Sequence, residues 1–387
     1  MAEVPRAIRR CITIEDLRAA ARRRLPRLVF DFIDGGARDE TTLRDNRRAF
    51  DAWQLMPRVG VDVSQRRLAT TLLGRPMALP LVLGPTGLAG LYRPRGEMLA
   101  CRAATTAGIP FCLSTNSIAS IEAVAADVPD SDRWFQLYPL RDRELMTEML
   151  RRAREHGYRT LCFTVDLPIQ GRRERDVRNG FTLPLRPTVR TAWDVLRRPA
   201  WLWGLARNPV SFGNFAPSAA GGGATTIAQH VASLFDPSAD WALVAKLRKG
   251  WDGPFVVKGV LHPDDARAAV RAGADAVIVS NHGGRQLDTV PGACTALPGV
   301  VAAIQGEADI LLDGGVRRGT DILKALALGA RACMIGRPFL WGLAAGGEVG
   351  VRRAIEILSV ELDEAMALAG VRDLAELTPD FVRGRSC

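Results

Sequence analysis

The stretch Ala276–Asp288, AVIVSNHGGRQLD, decides the architecture. Its first four residues are apolar, with no polar residue alternating among them. A strand of that kind is covered on both faces, as in a parallel sheet flanked by helices. The run then breaks into a polar, glycine-flanked loop. Just upstream, HPDDARAAVRAGA (262–274) has proline and aspartate where a helix begins and glycine where it ends. Helix, buried strand and polar loop form one repeating unit of an α/β chain.

The same unit recurs outward in both directions. Further buried runs are ALPLVLGPTG (78–87), PFCLST (110–115), RWFQLY (133–138) and TLCFTVD (160–166). PFVVKGV (254–260), DILLDGG (309–315) and ACMIGRP (332–338) complete eight strands. Helical stretches follow several of them, clearest at RGEMLACRAATTAG (95–108) and RRGTDILKALALGA (317–330). Eight alternating units fit a (β/α)8 TIM barrel better than an open doubly wound sheet. We therefore expect residues 1–387 to form one barrel domain. Residues 14–56 would be an N-terminal helical cap of two short helices. Residues 171–236 would be a long loop insertion after strand 4, too long to be a plain connection. Within it, residues 190–209 carry Trp193, Trp201 and Trp203 among arginines.

The net charge of +10 comes almost wholly from arginine, for only four lysines are present. The basic residues are scattered and follow no nucleic-acid-binding motif, so phosphate and carboxylate ligands are the expected anionic partners, not nucleic acid. Seven cysteines without a CxxC pair read as reduced thiols in a cytoplasmic protein. The N-terminal MAEVPRAIRR has no secretory h-region, and no apolar run reaches the ~18 residues of a membrane span.

In such a barrel the chemistry lies where strands end at the C-terminal face. The residues there are Thr86, Ser114, Gln136, Tyr138, Thr164, Asp166, Lys258, Ser280, His282, Arg285, Asp313, Gly315, Arg317, Gly336 and Arg337. DGGVRRG and IGRP, after strands 7 and 8, read as a phosphate cradle of backbone N–H groups and arginines. Lys258 reads as a Schiff-base lysine, a fixed charge beside an anionic cofactor, or a salt-bridged structural residue. His282, one of four histidines, is the best candidate base, with Asp166 to hold its ring. Arg285 and Arg173 offer forks suited to a carboxylate. No metal ligand set is present.

The strings GPTG, WFQLY, TVDLP with GRRERD, VKGV, SNHGGRQLD and DGGVRRGTD, in this order, resemble the FMN-dependent L-2-hydroxy-acid oxidase and dehydrogenase family. The resemblance runs from about residue 14 to about 375 and is weak only in the long loop. It implies FMN as cofactor and oxidation of an L-2-hydroxy acid (lactate, mandelate or a larger aryl type) to the 2-oxo acid. His282, partnered by Asp166, would take a substrate proton, from C2 or from the hydroxyl. Arg285 and Arg173 would bind the carboxylate, and Tyr138 would hydrogen-bond the substrate. Lys258 would stabilise reduced flavin, which sets the Schiff-base reading aside. Thr86, Ser114, Gln136 and Thr164 would meet the isoalloxazine ring, with Ser280 in the same cofactor-binding set. Asp313, Gly315, Arg317, Gly336 and Arg337 would hold the ribityl phosphate.

Three positions depart from common family patterns. Phe32, in VFDFIDGG, stands where a carboxylate-contacting tyrosine is usual. Asn116 replaces a bulky aromatic residue found in some members and opens the substrate pocket. Gly87 stands where many of the oxidases have alanine, as in the lactate and mandelate dehydrogenases of the family. The resemblance thus favours electron transfer to a quinone or other acceptor over an oxidase that releases hydrogen peroxide. It also suggests a homotetramer and peripheral contact of residues 190–209 with the inner face of the cell membrane. A barrel that binds its cofactor without turnover is the reading from outside this class.

Overall fold

The computed structural model describes residues 5–180, 188–208, 210, 212–215 and 234–385. Eight parallel strands close into a barrel, each paired with the next in the chain and the last with the first. They are β1 (Leu81–Leu83), β2 (Phe111–Ser114), β3 (Arg133–Leu137), β4 (Thr160–Thr164), β5 (Phe255–Val260), β6 (Ala276–Val279), β7 (Asp309–Asp313) and β8 (Ala332–Ile335). The order confirms the (β/α)8 barrel and excludes the open sheet. Every residue of β1–β4, β6 and β8 is buried, as their unbroken apolar runs require.

The strands are shorter than their apolar runs suggest. β6 stops at Val279, so Ser280 and His282 stand in the turn beyond it. β1 stops at Leu83, ahead of Thr86 and Gly87. Strand pairing holds only where the barrel closes, and the polar ends are released as loops over its C-terminal mouth.

Residues 14–56 contain three helices, not two: α1 (Ile14–Arg24), α2 (Arg27–Asp34) and α3 (Thr41–Asp51). Pro26 has no N–H to continue α1, and instead immediately precedes α2. Thr13 and Asp16 close a reciprocal capping box at the start of α1. The segment is tied to the barrel mouth. The Ala37 N–H donates to the Gly284 carbonyl at 2.8 Å. Asn46 and Asn281 exchange amide hydrogen bonds at 2.9 Å each.

After β1 comes the short helix α4 (Ala89–Tyr92). The connection from β4 to β5 holds α5 (Glu174–Arg178), α6 (Val189–Leu196) and α7 (Pro199–Arg207). Pro199 stands at the first position of α7, where its missing N–H costs nothing. Of the insertion, residues 181–187, 209, 211 and 216–233 lie outside the described residues, as does Cys387. The other six cysteines are buried free thiols. No helix among the described residues is long and apolar enough to cross a membrane. The helix that follows β8, α8 (Arg337–Gly346), points its N-terminus into the barrel mouth.

Candidate active site

A cavity of about 1270 Å³ opens at the C-terminal mouth. Of the residues singled out above, Phe32, Thr86, Asn116, Tyr138, Arg173, Lys258, His282, Arg285, Asp313, Gly315, Arg317, Gly336 and Arg337 line it. Ser114, Gln136, Thr164, Asp166 and Ser280 do not; Ser114, Thr164, Asp166 and Ser280 are each bonded to or paired with a residue that does, and Gln136 is reached through Ser114.

His282 occupies a left-handed backbone conformation, φ 56°, which a non-glycine residue rarely adopts. Two following residues, Gly283 and Gly284, share that sign and let the chain turn. The His282 N–H donates to Ser280 Oγ at 3.0 Å, which holds the turn. Nδ1 lies 2.9 Å from Asp166 Oδ1, so Nε2 is the ring nitrogen left to the cavity. Tyr138 stacks on the imidazole with centroids 6.3 Å apart. Burial alone would raise the Asp166 pKa, but the charge of His282, its hydrogen bond and Lys258 outweigh burial and hold it below the ordinary carboxylate value. Gly259 makes this dyad fit. A Cβ there would lie 2.6 Å from the Asp166 side chain, and β5 carries a register shift at this residue.

Behind the dyad is a three-way junction. Ser280 Oγ accepts from Lys258 Nζ at 3.0 Å and donates to Asp313 Oδ2 at 2.7 Å. Lys258 Nζ also sits 2.8 Å from that carboxylate. Burial opposes the lysine charge, yet Asp313 and Asp166 overcome it and raise the Lys258 pKa, so the ammonium persists. The Asp313 carboxylate is therefore committed to Lys258, and as an anion it would repel a phosphate rather than hold one.

The two carboxylate-binding candidates flank one ring. The guanidinium carbons of Arg173 and Arg285 each lie 5.1 Å from the centroid of Phe32. Arg285 Nη1 donates to the carbonyls of Phe32 at 2.7 Å and Gly35 at 3.0 Å. Arg173 Nε donates to Asp176 Oδ2 at 2.7 Å. Burial, with Arg173 and Arg337 nearby, pushes the Arg285 pKa down to about 9. An anion placed between the two guanidiniums would relieve that burden.

The buried polar atoms test the fit of FMN. Gln136 Nε2, Thr164 Oγ1 and Asn116 Oδ1 have no hydrogen-bond partner among the described residues, at the ends of or just beyond adjacent strands β2–β4. Native proteins leave few such atoms, so a polar ligand edge is expected against them. Gly314 and Gly315, φ 119° and 88°, turn the backbone beside Arg317 and the N-terminus of α8. Burial lowers the Arg317 and Arg337 pKa values to about 10, each with help from a neighbouring arginine. Arg337 is already spoken for: it donates to the carbonyls of Ile33, Gly283 and Gly35 at 2.8–3.0 Å. It ties α2 to the β6 turn, which leaves Arg317 as the freer phosphate partner. A polar edge, a buried cation and a glycine-lined helix N-terminus match a flavin ring, its reducible locus and its phosphate.

Two lining residues, Asp176 and Tyr92, escaped the sequence reading, and Trp201 was singled out only as part of the long loop. Asp176 is buried, fixes Arg173 and has no partner for Oδ1 among the described residues; its position three residues after Arg173 was the available signal. Tyr92 is buried in the cavity wall, and only three tyrosines occur in the chain. Trp201 donates from its indole N–H to the Leu91 carbonyl at 2.8 Å, closing α7 over α4.

Comparison with known proteins agrees with this geometry. Residues 21–384 match the FMN-dependent dehydrogenase family. The chain is 46% identical over 373 residues to an L-lactate dehydrogenase of Caulobacter vibrioides, covering 96% of this chain and 97% of that one. It is 45% identical over 370 residues to an L-lactate dehydrogenase of Pseudomonas aeruginosa, covering 94% of this chain and 96% of that one. A solved (S)-mandelate dehydrogenase, described as a monotopic membrane protein, superimposes with a TM-score of 0.93 at 40% identity, covering 97% of this chain and all of that one. The chain thus belongs to the FMN-dependent dehydrogenase family and is an FMN-dependent oxidoreductase that oxidises the CH–OH group of a 2-hydroxy acid.

Proposed function

We propose that the substrate is an L-2-hydroxy acid with an apolar side chain, L-lactate in the first place, and that electrons leave through a membrane quinone. The observation that carries the reading is the placing of the His282–Asp166 dyad in one cavity with two guanidiniums around Phe32. Arg173 and Arg285 take the substrate carboxylate, which turns the carbinol toward His282. His282 Nε2 removes a proton, and Asp166 stabilises the imidazolium that forms. The Tyr138 hydroxyl faces the same space and hydrogen-bonds the substrate. Gln136, Thr164, Lys258, Gly315 and Arg317 would hold FMN, which would supply the two-electron acceptor that the oxidation needs. Leu167, Phe235 and Phe212 supply an apolar wall for the side chain. With Asn116 and Gly87 beside them, that wall admits groups larger than a methyl.

The curated relatives are named L-lactate dehydrogenases, which favours lactate; the solved mandelate dehydrogenase keeps an aryl side chain in the test. Gly87 and those relatives favour a dehydrogenase over an oxidase. The exposed face of α6 and α7 favours seating on the inner membrane surface, and a homotetramer is the assembly we expect.

The deciding experiment is anaerobic bleaching of the yellow protein with a panel of L- and D-2-hydroxy acids. We expect L-lactate to bleach it fastest and the D-acids not at all. Stoichiometric peroxide under air would move the assignment to an oxidase. His282→Ala should stay yellow and bleach at least ~100-fold more slowly; normal bleaching would remove the base assignment.

A further inference from the structure

Two guanidiniums and a ring without a hydroxyl leave the carboxylate pocket short of neutral donors on the Phe32 side. Tyr92 lies across the same space. It ends α4, beyond β1, and its side chain is buried in the cavity wall with Phe32, Arg173 and Arg285. No hydrogen bond of its hydroxyl is found among the described residues, whereas Tyr158, which does not line the cavity, donates to the Ile121 carbonyl at 3.0 Å. Tyr92 lines the cavity, so its hydroxyl is available to donate to a ligand bound there.

The electrostatics name that partner. Burial raises the Tyr92 pKa and keeps the group a neutral donor, while Arg285 and Arg173 pull the other way. The hydroxyl therefore stands within reach of the field that gathers an anion between those arginines. The position is also held rigidly. The Trp201 indole donates to the carbonyl of Leu91, the residue before Tyr92, and clamps α7 onto α4.

We infer that Tyr92 donates its hydroxyl to the substrate carboxylate held by Arg173 and Arg285. It supplies the donor that Phe32 lacks. The inference rests on the 2-hydroxy-acid reading of the site and adds a specificity-determining residue to it. It also predicts that the carboxylate is gripped from the α4 side of the mouth, next to the α7 clamp.

The test is equilibrium binding of oxalate, an unreactive dicarboxylate, read from the flavin absorbance of the purified holoprotein. Wild type, Tyr92→Phe, Phe32→Tyr with Tyr92→Phe, and Tyr158→Phe are compared. We expect Tyr92→Phe to retain its flavin, bind oxalate about 10-fold more weakly and raise KM for L-lactate in step, as loss of a hydrogen bond to a charged group implies. Restoring a hydroxyl at position 32 should recover a good part of that loss. Tyr158→Phe should bind oxalate as wild type does. Oxalate affinity within twofold of wild type in Tyr92→Phe overturns the assignment, and so does a loss that Phe32→Tyr leaves unrecovered, which would make Tyr92 a packing residue. If no 2-hydroxy acid bleaches the wild-type protein, the substrate class itself falls, whatever oxalate shows.

Discussion

His282 sits in a conformation that costs of order 1–3 kcal/mol and is held there by its neighbours. The Ser280 hydroxyl takes its N–H, and Asp166 takes its Nδ1. The same serine oxygen meets Lys258 and Asp313, so one small side chain registers the base against the buried cation. Asp166 is held low enough to remain ionised well below neutrality, so an acid limb of the rate profile near neutral pH belongs to another group. Replacing Asp166 by Asn keeps the shape and removes the charge. Stopped-flow reduction of Asp166→Asn should be slower by about 100- to 10,000-fold with flavin content unchanged. A loss under threefold would show that the carboxylate does no more than position the ring.

At the scale of elements, α6 and α7 are divided between two tasks. Trp201 faces inward and closes the cavity, whereas Trp193 and Trp203 are 59% and 62% exposed. Arg197 and Arg207 lie over those two rings, at 5.1 and 4.3 Å. Leu196, Leu202 and Val189 add exposed apolar surface beside them. Aromatic rings paired with cations suit an interface between acyl chains and anionic headgroups. The wild-type protein should co-sediment with phosphatidylglycerol vesicles, and the Trp193→Ser, Trp203→Ser double variant should stay in the supernatant. Turnover with a soluble acceptor should be unchanged in that variant. Equal sedimentation of both forms would end the membrane proposal.

Across the whole molecule, Asp34 gathers distant parts. It accepts from Arg18 in α1 at 2.6 and 2.8 Å, and from Arg175 in α5 at 3.2 Å. Burial opposes its charge, but Arg18, Arg337 and Arg175 prevail and lower the Asp34 pKa. A lowered folded-state pKa contributes stability at pH values above the unfolded value, ~3.9, and loses it as pH falls through the folded value. Asp34→Asn should thus cost about 1–3 kcal/mol at pH 7, discounted because Arg18 is partly exposed. The gap in melting temperature between wild type and variant should narrow below pH 4. A gap independent of pH would place the effect in packing rather than charge.

The sequence by itself determined the barrel, because a strand buried on both faces must be apolar throughout and its polar end must lie in a loop. It likewise singled out His282, Asp166, Lys258 and the two arginines proposed to bind the carboxylate, since scarce or charged residues at strand ends stand out against apolar runs. Helix-splitting by Pro26 and the start of α7 at Pro199 were written in those prolines, yet read less well because each also looks like a break. What only the tertiary structure decided is partnership. Asp313 pairs with Lys258, and Arg337 braces α2. Tyr92 lines one cavity with Arg173 and Arg285, although about 80 and 190 residues separate it from them. A barrel brings the ends of all eight strands to one mouth, and no local pattern records which of those ends will touch.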